Sequence, residues 1–355
     1  MTVFITERFK GIGGDMRTYP EDFSVCEIPA YDITGQGEHI FVEVSKKKLT
    51  TQAVIEELAR ILEIRPQDIG HAGLKDRQAV TSQRLSLPET VLPQLQSLAE
   101  HPVVEGREGA SWRIKILGRH NNKLRPGHLQ GNHFCIRLRN VDPQWPELVT
   151  PIAAALSEHG FANFYGTQRF GHSGNNAEIG LKSLREGKVF GPKWRKWLMI
   201  SALQSQLFND WLENRIRDGL FETALVGDVF GKLPQGGIFY SLEPANEQPR
   251  LEAFEISPMG PIFGYKMFKA QAQAWEREQA VLDRYDVKLE DFRRLKAEGS
   301  RRRCRLKIDN LKISNKDGDP LFEFTLPAGS YASVLLDEFM KNGSSYKSSE
   351  DEAEA

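Results

Sequence analysis

The sequence predicts an α+β protein in which a sheet domain is interrupted by an inserted segment. Alternation of apolar and polar residues, typical of strands, occurs early and late in the chain. The middle instead contains helical patterns broken by Gly and Pro. A chain of 355 residues is also long enough for about two domains.

The first part of the chain alternates predicted strands and helices. Strands are predicted at residues 39–44, 112–117 and 133–139, and helices at residues 50–64 and near 147–159. The first helix has apolar residues at helical spacing between Thr50 and Pro66, which are typical start and stop residues. The strands at 112–117 and 133–139 alternate apolar with basic residues, which predicts a sheet with one open, basic face.

The middle and the end of the chain continue this pattern. A long helix is predicted at residues 194–216, a charged helix at 270–285, strands at 304–308 and 321–326, and a turn at 315–320. A last helix is expected to begin after Ser330, whose hydroxyl is a suitable N-cap.

These elements give predicted domain bounds. The sheet domain takes residues 1–159 and returns at 303–340, the insertion takes 160–302, and an acidic tail at 341–355 is expected to be disordered.

Composition excludes several classes of protein. The apolar runs are too short for a membrane span, and the start of the chain lacks the features of a secretory signal, so the cytoplasm is expected. The three cysteines, at positions 26, 135 and 304, are too far apart for a CxxC pair. We find no Gly-rich nucleotide loop and no His/Cys metal cluster, so neither a cofactor nor a metal is predicted.

Charge is distributed unevenly. The net charge is −1, but the last eight residues, SSEDEAEA, hold four acids and no base, and without them it would be +3. Basic residues cluster at 46–48, 118–125 and 301–307. Local clusters of this kind favour phosphate binding, although a solvated surface is the alternative.

The segment HAGLKDRQAVTSQ, residues 71–83, places Asp76 between Lys75 and Arg77. Neighbouring cations lower the pKa of a carboxyl group and keep it ionised. Such an aspartate suits a nucleophile or a base. An ion pair with Lys75, Arg77 or Arg17 that only supports the fold is the alternative.

Five segments in this order resemble the TruD family of tRNA pseudouridine synthases. They are YPEDFSVCE (19–27), HAGLKDRQAVTSQ (71–83), GRHNNKLRPGHLQGNHF (118–134), NFYGTQRFG (163–171) and LPAGSYASVLLDE (326–338). The resemblance extends from about Gly14 to Glu338 and is greatest with the bacterial members.

The resemblance implies a pseudouridine synthase-like sheet, mixed and largely antiparallel, flanked by helices and interrupted by an α/β lobe, the TRUD domain. It implies isomerisation of uridine to pseudouridine in tRNA, at uridine 13, with tRNA as partner. No protein partner is evident in the sequence, and a monomer is expected. The catalytic aspartate falls on Asp76, and substrate-binding residues fall on Phe23, Asn132 and Phe134. Arg17 stands where the family usually has lysine, which keeps the positive charge but changes its geometry.

Each of these residues also has an interpretation without catalysis. Phe23 and Phe134 suit the core of an alternating sheet, although Phe134 could instead stack on an unstacked uracil. Asn132 follows Gly131 and suits a turn. Phosphate contacts are expected from Lys123, Arg125, Arg301, Arg302 and Arg303.

Two other functions remain open at this point. A non-catalytic RNA-binding or RNA-folding protein could use the same basic cleft. A hydrolase such as a nucleosidase would need a second carboxylate or a metal to activate water, and no matching pair stands out in the sequence.

Overall fold

The computed structural model describes residues 3–100, 103–187, 193–234 and 236–342. These residues form two compact units. The sheet unit consists of residues 12–146 and 308–329, and the helical unit contains the described parts of 1–11, 147–307 and 330–355.

The elements are labelled in chain order. The strands are β1 (Phe23–Pro29), β2 (His39–Lys47), β3 (Gly70–His71), β4 (Val80–Pro88), β5 (Val103–Glu105), β6 (Ser111–His120), β7 (Leu129–Arg137), β8 (Phe161–Ala162), β9 (Val229–Lys232), β10 (Ile238–Tyr240), β11 (Ile256–Ile262), β12 (Ser300–Arg303), β13 (Arg305–Leu306), β14 (Asp309–Lys316) and β15 (Asp319–Pro327). The helices are α1 (Thr51–Ile61), α2 (Leu92–Glu100), α3 (Trp145–His159), α4 (Asn176–Glu186), α5 (Lys193–Arg217), α6 (Pro244–Glu252), α7 (Ala272–Arg284), α8 (Asp291–Arg294) and α9 (Ala332–Met340).

The sheet unit is built on one mixed sheet. Its strand order, among the residues the structure describes, is β14-β15-β7-β1-β4-β2-β6-β5, with β3 paired to β4. The pair β1–β4 is parallel and the other pairs are antiparallel, so the mixed, largely antiparallel sheet is confirmed. Strand β1 lies between β7 and β4, with Glu27 opposite Asn132.

Helices α1 and α2 cover the outer half of this sheet. The Thr50 hydroxyl accepts a hydrogen bond from the Ala53 N–H, which caps α1 as predicted. Buried Val54, Ile55 and Leu58 pack on the β2–β4–β6 surface in one apolar core. The helical spacing therefore predicted both the helix and its buried face.

A tight hairpin joins β14 to β15. Asp317 and Gly318 both have positive φ, at 53° and 92°, which suits the two-residue turn expected from the NKDGDP segment. The hairpin brings β15 beside β7, so the late strand joins the early sheet.

The helical unit has its own core around α5. Phe208, Trp211 and Leu212 on this helix pack with Leu282 of α7 and Phe292 of α8. A four-stranded antiparallel sheet of described residues, in the order β10-β9-β11-β12, belongs to the same unit.

The unit bounds differ from the predicted insertion of 160–302. The helical unit takes in residues 147–159 and 303–307, and it also takes in α9, which was predicted to return to the sheet. In α9 the carboxylate of Glu338 accepts hydrogen bonds from the backbone N–H groups of Ile5 and Thr6. These contacts attach the helix to the start of the chain, a pairing no local pattern predicts.

Two local predictions near this end are wrong. Helix α9 begins after Tyr331 rather than Ser330, and no side-chain cap bond is present. The strand predicted at 304–308 is reduced to the two residues of β13, which pair with the two residues of β8. Arg305, expected on the polar side, is buried: its guanidinium lies over the Phe254 ring and bonds to Glu222. The tail lies outside the described residues from position 343 onward.

Candidate active site

Asp76 lies on the loop that joins β3 to β4 in the sheet unit. The Lys75 N–H donates to the Thr51 hydroxyl at 2.8 Å, and that hydroxyl donates to the Gln83 carboxamide oxygen at 2.7 Å. The Gln83 NH₂ group in turn donates to the Gly73 carbonyl at 3.2 Å. Thr51 of α1 and Gln83 of β4 are buried, so their side chains fix the loop from the interior of the sheet unit.

The carboxylate of Asp76 contacts Arg17. The distance from Arg17 Nη2 to Asp76 Oδ2 is 2.8 Å, and the Asp76 side chain is 43% exposed while that of Arg17 is 11% exposed. The guanidinium also lies over the Phe23 ring, 4.3 Å from its centroid. A carboxylate open to solvent is therefore held beside a cation that is itself fixed in place.

Lys75, one of the three cations considered as ion-pair partners of Asp76, contacts other side chains. Its ammonium lies 3.1 Å from Glu27 Oε2 and 2.5 Å from Asn132 Oδ1. The side chains of Lys75 and Glu27 are both buried. This pair connects the Asp76 loop to β1 and β7 and brings Asn132 close to the loop.

Glu27 is a residue that the sequence analysis missed. It lies on the buried face of β1, two residues beyond Val25 and four beyond Phe23. An acid at the next apolar position of an alternating strand was the signal that could have found it, because a buried carboxylate requires a partner.

Phe23 and Phe134 form part of the sheet core. Their rings meet edge to face with centroids 6.3 Å apart, and Phe134 stacks on Phe324 at 5.4 Å. Phe23 is 2% exposed and Phe134 is 6% exposed. The contacts match the core interpretation of both residues, beside the Arg17–Asp76 pair.

The prediction of an open, basic face on β7 is wrong at the C-terminal end of the strand. Arg137 pairs with Asp317 and Asp319, and Arg139 pairs with Asp22 at 2.7 Å. These acids come from distant parts of the chain, so the alternation of basic residues along one strand could not reveal them.

The predicted phosphate contacts divide into two groups. In the sheet unit, Arg125 is exposed, and Lys123 donates to the Gln67 carbonyl at 2.5 Å from a solvent-facing position. In the helical unit, Arg301 is ion-paired with Glu278, and both side chains are almost fully buried. Arg301 is therefore not available to a phosphate.

Arg302 and Arg303 are also engaged within the helical unit. The Arg302 guanidinium donates to Asn163 and lies 4.0 Å from the centroid of the Tyr165 ring. Burial lowers the pKa of Arg302 below its usual range. Arg303 donates to the Pro234 carbonyl. The arginine run thus supports the fold of this unit, because β12 directs these side chains into neighbouring elements.

Neither a metal-binding cluster nor a membrane-spanning helix occurs among the described residues. No three His, Cys, Asp or Glu side chains among them are grouped so that they could hold a metal ion. No helix in the described ranges has the length and apolar character needed to cross a bilayer.

The site therefore has one accessible carboxylate, Asp76, a fixed cation, Arg17, and an apolar floor formed by Phe23 and Phe134.

The family model for tRNA pseudouridine synthase D (TruD) matches residues 1–189 and 192–339. A tRNA pseudouridine synthase D from Anaeromyxobacter sp. (strain Fw109-5) is 42% identical over 347 residues, which cover 96% of each chain. One from Thermus thermophilus is 40% identical over 338 residues, covering 95% of this chain and 92% of the relative.

A solved structure shows the same fold. The crystal structure from Methanosarcina mazei that carries the TruD name aligns with a TM-score of 0.75 over 96% of each chain, at 23% identity. The chain therefore belongs to the tRNA pseudouridine synthase D (TruD) family, and as a pseudouridine synthase it is an isomerase.

Proposed function

We propose that this protein converts uridine 13 of tRNA to pseudouridine and that Asp76 is the catalytic group. The observation that carries the proposal is the Asp76 carboxylate, which is open to solvent and held at 2.8 Å from Arg17 on an anchored loop. The class of reaction follows from the family and from the names of the relatives, which are tRNA pseudouridine synthases.

The reaction rearranges one nucleotide without a donor or an oxidant. The bond between C1′ and N1 breaks, the uracil turns, and a new bond forms between C1′ and C5. The hydrogen on C5 leaves as a proton and N1 gains one, so atoms and electrons balance. A carboxylate can act as a nucleophile at the sugar or as a base, and either role requires access to a nucleotide that has left its helical stack.

The neighbouring residues have roles consistent with their contacts. Because the carboxamide oxygen of Asn132 accepts from Lys75, its NH₂ group is the part that can donate to the substrate. Arg17 holds the Asp76 carboxylate in one orientation. Phe23 lies beneath Arg17 and Phe134 packs on Phe23, so these buried rings support the Arg17–Asp76 pair, and the role in substrate binding expected of them is indirect.

Binding of tRNA is assigned to phosphate contacts on the sheet unit. Lys123 and Arg125 lie on the connection between β6 and β7, which leads directly to Asn132. The proposal also includes action as a monomer in the cytoplasm, which light scattering of the protein with and without tRNA and localisation of a tagged chain would check.

Tritium release tests the proposal. A tRNA transcript labelled with tritium at C5 of uridine should lose label to water in the presence of the protein, with no release of free uracil. A matched transcript with cytidine at position 13 should release no label above background. Release of free uracil would indicate a hydrolase. Binding without release of either product would indicate a protein that only binds RNA.

A further inference from the structure

Lys46 differs from the two lysines that follow it at the end of β2. Lys48 reaches an exposed position and donates to the Glu108 carbonyl at 3.0 Å, and Lys47 pairs with Glu21. Lys46 is only 2% exposed. A buried ammonium is costly unless its donors are all bonded, so its partners are informative.

The partners of Lys46 are three backbone carbonyls. Its ammonium donates to the Leu49 carbonyl at 2.6 Å, to the Asp76 carbonyl at 2.7 Å and to the Lys75 carbonyl at 3.3 Å. An ammonium has three N–H donors, so each has a partner. The carbonyls of Lys75 and Asp76 belong to the peptide groups on either side of the Asp76 Cα atom.

We infer that Lys46 is a positioning residue for the pseudouridine reaction, because it holds the backbone on both sides of Asp76 and so sets the position of the carboxylate. This inference rests on the proposed role of Asp76. Arg17 contacts the side chain of Asp76 from outside, whereas Lys46 fixes its main chain from within the sheet unit. Lys46 is not a phosphate ligand, because its donors face the protein interior.

The bonding capacity of Lys46 depends on its protonation. Burial lowers the pKa of Lys46 to about 8; the charge of Asp76 acts in the opposite direction, and that of Lys75 lowers it further. A neutral amine has two N–H donors for the three carbonyls. The loop is therefore expected to be held less firmly above this pH.

The first test compares Lys46→Met with Lys48→Met. Single-turnover rates at saturating tRNA and dissociation constants for tRNA are measured for both variants. We expect Lys46→Met to slow turnover by about 100-fold, since a shift of about 1 Å in a reacting group costs this much, with little change in the dissociation constant. Lys48→Met should keep the wild-type rate. Equal rates for the two variants would overturn the inference, and so would a loss of tRNA affinity that matches the loss of rate.

The second test uses pH and the conservative variant Lys46→Arg, whose guanidinium stays charged. The ratio of the wild-type rate to the Lys46→Arg rate should fall as the pH rises through about 8. Any ionisation of the RNA affects both proteins alike and cancels in this ratio. A ratio that stays constant across that range would overturn the inference. This test compares the wild type with Lys46→Arg, so it does not depend on whether Lys46→Met folds. Circular dichroism checks the fold of each variant.

Asp76→Asn separates the two proposals. If Asp76→Asn keeps its turnover, the proposed function of Asp76 fails. If it is inactive while Lys46→Met remains fully active, only the inference about Lys46 fails.

Discussion

Arg17 contacts both the Asp76 carboxylate and the Phe23 ring in the candidate site. Its guanidinium bonds to the Asp76 carboxylate and covers the ring of Phe23. The sequence resemblance implies a lysine at this position, and a lysine ammonium would lack the planar face that lies over Phe23 here.

Substitution of Arg17 should therefore separate charge from stacking. Arg17→Met should slow turnover by about tenfold or more, because a hydrogen bond to a charged group is worth about 1.5–3 kcal/mol. Arg17→Lys should lose less, since the charge is kept. Single-turnover kinetics would measure both rates. A larger loss for Arg17→Lys than for Arg17→Met would contradict this account of the residue.

Phe134 should matter first for stability. Its ring is buried between Phe23 and Phe324, so Phe134→Ala should lower the free energy of unfolding by about 3–5 kcal/mol. Phe134→Leu fills more of the space and should lose less. Urea unfolding measures these differences. An unchanged stability in Phe134→Ala would mean that the ring is not part of the core.

Single residues were predictable where a family segment marks them. Asp76 was identified from its segment, and its partner Arg17 was among the cations considered. The link from Lys75 to Glu27 and Asn132 was not predicted, since it depends on β1 lying between β4 and β7. Residues that meet across three strands of a sheet are not separated by any regular interval in the sequence.

At the scale of elements, β12 and α7 are joined by a buried ion pair. Arg301 and Glu278 have almost no exposed surface, and burial raises the pKa of Glu278 against the opposing effect of Arg301. Removing one member would leave the other charge uncompensated.

Arg301→Met should therefore destabilise the protein by about 3–5 kcal/mol and leave the salt dependence of tRNA binding unchanged. The double variant Arg301→Met with Glu278→Met should recover much of the loss, since neither charge is then left alone. Urea unfolding and filter binding measure the two effects. A flatter salt dependence in folded Arg301→Met would restore the prediction that this arginine binds phosphate.

Elements with clear periodicity were predicted well. Helix α1 and strands β2, β6 and β15 occur where the patterns placed them. The prediction failed at β13, which has only the two residues that pair with β8, and at Arg305, which is buried through its contacts with Glu222 and Phe254. Apolar alternation cannot anticipate a buried arginine whose partners are about 50 or more residues distant along the chain.

At the scale of the whole molecule, a net charge of −1 does not describe the surface that RNA would meet. Arg137, Arg139 and Arg301 are neutralised by neighbouring acids, while Arg125 is exposed. Exposed cations without an acidic partner determine the release of counterions on binding.

The salt dependence of tRNA affinity should follow from this difference. Each lost phosphate contact lowers the slope of log affinity against log salt by about one, so Arg125→Gln should lower it by that amount. Arg65→Gln is the matched control, because Arg65 is exposed but already bonded to Asp68. Equal slopes for the wild type and Arg125→Gln would place the RNA elsewhere on the protein.

The organisation of the molecule was predicted in outline. The interruption of a sheet by a helical segment was expected, and residues 308–329 do return to the sheet. The predicted bounds differ from those of the units, since α3 and α9 belong with the helical unit. The sequence predicts helices at both places but does not indicate which unit they pack against.

The measurement that tests the central claim most directly is the turnover of Asp76→Asn at saturating tRNA, taken together with its dissociation constant. The substitution removes the charge and keeps the volume, so turnover should be abolished while tRNA affinity stays close to that of the wild type, because phosphate contacts supply the affinity. Asp68→Asn is the control and should turn over normally, because Asp68 is a partly exposed aspartate paired with Arg65. Near-normal turnover of Asp76→Asn, or a loss of tRNA affinity as large as the loss of turnover, would contradict the assignment of Asp76 as the catalytic group.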